Sequence, residues 1–277
     1  MCRLLDVSRS GFHAWEHRPP SDRELNDAWL LEQIREIHAD SRETYGSPRV
    51  HAELRHCGVH VGEKRVERLM RLDGLTGSHR RRKGRTTLRM RGVRVADDLV
   101  DRNFTATAPN LLWMSDIKEI PTWQGKLYLC SVLDCFSRRV VGWSMRDDMR
   151  AELVVEAVEM AVSRRCPPRD GLIHHSDQGG QYVALAFGQT LRDAGIAQSM
   201  GSKGDCYDNA VCESFHASLE KDLLRRQSMR SRQEARTAIF DYIEVFYNQK
   251  RLHSTLGYLA PAEYETRYEE SDMTTAC

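Results

Sequence analysis

The sequence has no apolar run approaching the ~18 residues needed to cross a bilayer, so no membrane partner is expected. It also lacks any Cys-x-x-Cys pair. The eight cysteines, at 2, 57, 130, 135, 166, 206, 212 and 277, share no repeated spacing. In a chain of 277 residues with no signal peptide at its start, that usage excludes a disulfide scaffold and reads as reduced thiols in a cytoplasmic protein. Metal-ligand spacing is missing as well. "HAELRHCGVH" gathers His51, His56, Cys57 and His60, but in none of the usual zinc patterns. A strong charge of either sign is absent, since 41 Lys and Arg against 40 Asp and Glu leave a net of +1.

That balance conceals an asymmetry. Residues 1–100 hold 20 basic against 15 acidic side chains, a net of +5, and the remainder carries a net of −4. The excess is concentrated in "HRRRKGRTTLRMRGVR", residues 79–94, with eight Lys or Arg and no acid. Such a block is the composition of a solvated face and equally of a polyanion-binding linker, because each neutralised phosphate releases counterions. Arg80, Arg81 and Arg82 open it and are candidate nucleic-acid contacts. The 40% hydrophobic content is enough for a core, and the length accommodates two domains of ~100–200 residues.

Residues 1–20 place Ser8 as an N-cap, with Phe12 and Trp15 at helical spacing, before Pro19-Pro20 ends the run. The segment has the form of the back half of a helix-turn-helix, whose front half is expected on another polypeptide. Residues 24–38 follow as a helix with Leu31, Ile34 and Ile37 on one side. In "YGSPRVHAELRHCGVHVGEKRVERLMRLDGL", Ser47 is placed to cap and Pro48 to sit in the first turn, with Val50 and Leu54 inward. Gly58 stops that helix. The next one buries Val66, Leu69 and Met70 and projects Lys64, Arg65 and Arg68 as candidate nucleic-acid contacts. Two short helices with a basic second member fit a DNA-binding helix-turn-helix and a plain helical hairpin equally well.

From Asn110 the pattern changes. "LLWMSDIKEI" reads as a strand, and Leu127–Leu133 with Arg139–Met145 as an antiparallel hairpin. Leu153, Val154, Ala157, Val158, Ala161 and Val162 then form one helical stripe. "GLIHHSD" and "IAQSM" are short strands, each followed by a helix over "VALAFGQTLRDAG" or "AVCESFHASLEKDLL". Three hairpin-connected strands followed by alternating β and α units predict an α/β fold, a mixed five-stranded sheet flanked by helices, preceded by the all-α module.

Three acids stand out by position. Asp116 lies within the first strand, where an acid is costly to bury alone. Asp177 lies just past the fourth strand, at the carboxyl end where open α/β sheets place ligands. Its surroundings, "HHSDQGGQY", are also ordinary turn composition, in which glycine supplies positive φ. Glu213 lies near the start of the last of these helices, with 35 residues between it and Asp177. A set of three carboxylates suits a hard divalent cation. Asp134 is expected to shape the "DCFSR" turn, and His174 and His175 to divide into one packed and one exposed ring. Glu220, two turns beyond Glu213, either supports the site or meets solvent. Lys203, in a Gly-rich loop, and Asn248, Arg251 and His253 are candidate phosphate contacts. Arg251 and His253 are equally readable as anchors of the "LGYLAPAEY" segment.

The segments "WMSDIKEI", "YLCSVLDCFSRRVVGWSM", "HHSDQGGQY", "SMGSKGDCYDNAVCESFHASLEKDLL" and "FYNQKRLHSTLGYLAPAEYE" together resemble the transposases of bacterial insertion sequences of the IS-three family, in their second reading-frame product. The resemblance covers about residues 1–268 and implies an RNase H-like core of the retroviral-integrase superfamily. It implies Asp116, Asp177 and Glu213 as the catalytic and metal-binding triad for two magnesium or manganese ions. It implies DNA partners at the element's ends and its target, a homo-oligomer, an upstream reading-frame product fused by frameshifting, and a nucleoid-associated bacterial location. The domains then run 1–20, a partial helix-turn-helix; 21–78, a helical DNA-binding module; 79–100, a basic linker; 101–268, the catalytic core; and 269–277, a disordered tail. Where relatives commonly carry Lys, this chain has Glu220 beside Lys221, so a DNA contact made there in relatives would pass to Lys221 or be lost. The expected reaction is DNA cleavage and strand transfer, against two alternatives: a silent DNA-binding regulator and a simple RNase H-like nuclease.

Overall fold

The computed structural model describes residues 7–78, 105–177, 179–201 and 210–275. The chain divides into two units, Met1–Ser78 and His79–Cys277. The expected basic contacts Arg80, Arg81, Arg82 and Lys203 lie outside the described residues.

The first unit holds α1 (Arg9–Glu16), α2 (Asp22–Asp40), α3 (Ser47–His56) and α4 (Glu63–Leu72). Ser8 caps α1 by accepting from the Gly11 amide. Ser21 and Glu24 close a reciprocal capping box on α2, satisfying two amides that a helix start leaves unbonded. The buried row of α2 is Leu30, Ile34 and His38, strictly i, i+4, i+8, so Leu31 and Ile37 flank the core instead of leading it. His38 is tolerated there because its ring nitrogen lies 3.3 Å from the Thr76 carbonyl oxygen. Gly46, not Ser47, is the N-cap of α3, and Ser47 with Pro48 forms its first turn. On α4 the buried residues are Val66, Leu69 and Met70, as the apolar spacing requires. Arg65 and Arg68 both close on Asp27 of α2, at 2.6 Å in each case. Those two cations hold α2 against α4, whereas Lys64 is exposed.

The second unit is built on β1 (Leu112–Thr122), β2 (Gly125–Asp134), β3 (Val140–Arg146), β4 (Ile173–Ser176) and β5 (Ala197–Met200). They form one sheet in the order β3-β2-β1-β4-β5. The first three strands are antiparallel neighbours, and β4 pairs parallel with both β1 and β5. Side chains alternate across a sheet, so each strand feeds two layers. Trp113, Cys130 and Val132 join α5 (Ala151–Arg165) and α6 (Leu185–Asp193) in one core, with Leu153, Val158 and Phe187. The opposite face receives α7 (Ala210–Leu219), which continues into a wider turn over Glu220–Leu224. Gly142 of β3 is required by packing: a Cβ there would overlap the Ala157 carbonyl oxygen of α5. No helix among the described residues is long and apolar enough to cross a membrane. The described cysteines are free, and burial pushes the Cys130 and Cys135 thiols up to about 12.

The C-terminal helices α8 (Arg232–Asp241) and α9 (Pro261–Thr275) complete the unit. Two expectations are corrected here. Asn248 is 2% exposed, and its amide pairs with both backbone groups of Val140, donating to the carbonyl and accepting from the N–H at 2.9 Å each. Arg251 is 3% exposed and donates to Asp222 at 2.7 Å. Both side chains are buried and bonded to protein partners, which leaves them poorly placed to meet a phosphate. His253 bridges to Leu259 through its backbone and packs its ring edge-on against Tyr247, which makes it the anchor that was the alternative reading. The expected tail from residue 269 is helical as far as Thr275. That helix is held at its root, where Glu265 accepts from Ser137, Arg139 and Arg165, and each further residue adds one bond to a nucleated helix.

Both β4 histidines are buried, correcting the expectation of one exposed ring. The strand lies between β1 and β5, and both rings are at most 1% exposed, His175 with its Nδ1 2.9 Å from Ser199 Oγ of β5. His174 packs against Tyr182 and Phe187, and desolvation, followed by neighbouring His175, lowers its pKa from 6.5 to about 3. Between those values the unfolded chain binds a proton that the folded chain refuses. Stability is therefore full above pH ~6.5 and declines as pH falls through the window. We expect His174 to remove about 1.4 kcal/mol by pH 5.5. Urea unfolding at pH 7.5 and 5.5 checks this, since His174→Phe should lose correspondingly less than the wild type.

Candidate active site

The register of β1 and β4 builds the site. Ser115 pairs with Ser176, and continuing one residue sets Asp116 beside Asp177 at the carboxyl end of β4. Both belong to the parity of Met114 and His175, whose strands turn that face toward α7 and away from the α5–α6 core. Asp116 is half-buried, and its carboxylate is held at both ends. Oδ1 accepts from the Ile117 amide at 2.8 Å, and Oδ2 lies 3.3 Å from Nδ1 of His216 on α7.

Asp177 occupies the turn after β4. Its Oδ1 accepts from the Gly179 amide at 3.1 Å, a side-chain turn that fixes the carboxylate. Glycine is not needed for positive φ, as neither Gly179 nor Gly180 adopts it. The use of Gly179 is proximity, since a Cβ there would sit 3.0 Å from that same Oδ1. Although the residue borders solvent, the carboxyl is held above the usual carboxylate range. Desolvation by the surrounding protein is the first cause and the charge of Asp116 the second, partly offset by the Gly179 bond. Two acids that resist joint ionisation form a place where a cation is favoured.

Glu213 is exposed in the first turn of α7. His216 follows one helical turn later, so the contact between His216 and Asp116 brings Glu213's face of α7 to the same end of the sheet. The three acids do not contract to a single point. Among the described residues, the group of three whose ligand atoms lie within 4.8 Å of one another is His13, Glu16 and His17, exposed at the C-terminal end of α1. The wider acidic set offers only oxygen donors, which suits magnesium or manganese, ions that keep several of their waters. The His51, His56, Cys57 and His60 group does not converge, and His51 is engaged with the Val61 carbonyl oxygen at 2.9 Å.

The neighbouring acids have other duties. Asp134 is fully buried and shapes its turn as expected, accepting from the amides of Phe136 and Asn110. Glu220 pairs with Lys118 of β1 at 3.0 Å and with Arg225 at 3.3 Å. Those cations overcome partial desolvation and hold its carboxyl below the usual range. Lys221 lies 3.9 Å from Asp222. His216 and Ser131 were not singled out in the sequence. The position of His216 one turn after Glu213 was a readable signal; Ser131 becomes visible only through the register that sets it opposite Asp116.

Comparison with known proteins gives a consistent picture. Family models described as "Integrase core domain" match residues 106–206 and 194–261, and an "HTH-like domain" model matches residues 24–83. The "Insertion element IS600 uncharacterized 31 kDa protein" of Shigella sonnei is 38% identical over 270 residues, covering 98% of this chain and 99% of that protein. The "Transposase InsF for insertion sequence IS3A" of Escherichia coli K12 is 37% identical over 269 residues, covering 96% and 93%. Among solved structures, the catalytic core domain of BIV integrase aligns with a TM-score of 0.44 at 20% identity, covering 59% of this chain and 99% of that one.

Proposed function

Because the chain belongs to the insertion-sequence transposases that carry an integrase core, we propose that Asp116, Asp177 and Glu213 are the acidic set with which it cleaves and joins DNA at the ends of its element. The observation that carries this reading is the placement of Asp116 beside Asp177, with the Asp177 carboxyl pushed up by desolvation and by its neighbour's charge. The three carboxylates would hold two magnesium or manganese ions, which when bound activate an attacking oxygen and stabilise the leaving one.

The chain's own contribution is positioning. The Ile117 amide and His216 orient Asp116, the Gly179 amide orients Asp177, and α7 delivers Glu213. Hydrolysis of one phosphodiester at the element's end frees a 3′-hydroxyl. That hydroxyl then attacks a target phosphodiester, forming one P–O bond as another breaks, so no external energy source is needed. Such a reaction depends on alignment and charge stabilisation more than on covalent chemistry by the protein. The helical unit, with Lys64 exposed on α4, is the proposed duplex-binding module. Within the second unit, residues 101–268 are the proposed catalytic domain. Joining two ends at one target calls for at least two copies, and an upstream reading-frame product is the proposed further partner.

The test incubates the protein, alone and with the upstream product, with labelled element-end duplex, target DNA and magnesium or manganese. We expect cleaved ends and, from them, joined products. Cleavage without joining would favour a simple nuclease. Binding with neither reaction in both preparations would favour a regulator.

A further inference from the structure

We propose that His216 is a positioning residue that sets the direction of the Asp116 carboxylate, an inference that rests on the role assigned to Asp116 above. The arrangement spans three elements. Asp116 on β1 stands directly opposite Ser131 on β2 in the antiparallel register. His216, from α7, bridges that pair, with Nδ1 3.3 Å from Asp116 Oδ2 and Nε2 3.0 Å from Ser131 Oγ. Ser131 is fully buried and His216 is 8% exposed, so water does not replace either partner readily.

A carboxylate only accepts, so Nδ1 carries the hydrogen in this contact. In the neutral ring that leaves Nε2 to accept from the Ser131 hydroxyl. The carboxylate thus selects the tautomer, the serine hydroxyl clamps the far side of the ring, and the ring clamps the carboxylate. Asp116 Oδ1 is already held by the Ile117 amide, so His216 supplies the second point that defines the plane of the group. Each carboxylate oxygen retains a further lone pair, directed away from these partners, for a cation. Because His216 is one turn from Glu213, the same contact also sets the depth at which α7 presents that acid.

Three substitutions separate positioning from packing. His216→Asn keeps an amide near Nδ1 and so can still donate to Asp116. His216→Gln keeps a polar atom near Nε2 only, and Ser131→Ala removes the clamp while disturbing the packing least. The readouts are strand-transfer kcat, KM for DNA, melting temperature, and binding of Mn2+ alone, measured without DNA by the paramagnetic signal of the free ion. We expect His216→Gln to lower both kcat and Mn2+ affinity by about 10–100-fold, the range typical of lost outer partners of a metal ligand. KM for DNA should stay within about twofold, His216→Asn should recover most of the loss, and Ser131→Ala should fall between them.

Equal impairment of His216→Asn and His216→Gln, tracking a lowered melting temperature, would make the residue structural and overturn the proposal. Wild-type kcat and Mn2+ binding in His216→Gln would overturn it too. Asp116→Asn serves as the reference. If it joins DNA at the wild-type rate, the assignment of Asp116 itself fails and takes the positioning role with it. If it is inactive while His216→Gln is normal, only the positioning role fails.

Discussion

Asp177→Asn is expected to lower strand transfer by at least about a thousandfold, ~4 kcal/mol in the activation barrier, without loss of the fold. The substitution preserves shape. Asparagine retains an oxygen that can accept from the Gly179 amide, the bond that shapes the turn. What it removes is the negative charge, and with it the affinity for a hard cation. It also removes the repulsion with Asp116 that helps hold the Asp177 carboxyl above its usual range. The melting temperature should therefore stay level or rise while activity collapses, a combination that a structural residue does not produce. Strand-transfer rate and thermal unfolding on one preparation check both halves. Undiminished joining would remove Asp177 from the catalytic set, and loss of activity with a lowered melting temperature would reassign it to the turn.

The second large effect is on stability. Arg251→Met should destabilise the catalytic unit by about 3–5 kcal/mol, because it takes from the buried Asp222 carboxylate its bonded cation and leaves only Lys221, 3.9 Å from the other oxygen. Asp222 is 3% exposed; its Oδ2 accepts from Arg251 at 2.7 Å and from the Tyr242 hydroxyl at 3.3 Å. The guanidinium also lies over the Tyr247 ring, 5.9 Å from its centroid. Combining Arg251→Met with Asp222→Leu should recover a substantial part of the loss, since two apolar side chains leave no orphaned charge. Urea unfolding measures the energies, and DNA binding scaled to the folded fraction should be unchanged in both variants. A fall in affinity at unchanged stability would restore the phosphate-contact reading of Arg251.

Much of the architecture was legible because it is written in local period. The stripe Leu153, Val154, Ala157, Val158 and Ala161 is a 3.6-residue pattern, and it became the buried face of α5. Val66, Leu69 and Met70 did the same for α4. The strand, turn and helix bearing Asp116, Asp177 and Glu213 were readable from the same patterns and from chain order. An acid inside an apolar strand is conspicuous, because its burial is costly without a reason.

Tertiary structure decided what depends on partners distant in sequence. An Asn or Arg near a helix end reads alike whether it meets phosphate or protein. Only the fold brings Asn248 to Val140, 108 residues away, and Arg251 to Asp222. His174 and His175 look like one inward and one outward residue until β5 pairs beyond them and the fold buries both rings. His216 and Ser131 are 85 residues apart and meet because strand register and helix docking cross at Asp116. By itself, then, the sequence determined the elements and the acids worth watching, since periodicity and burial cost act along the chain. Which polar groups are spent inside the protein, and which remain for DNA and metal, was decided only by the tertiary structure, where a hydrogen bond is satisfied by whatever the fold places within 3 Å.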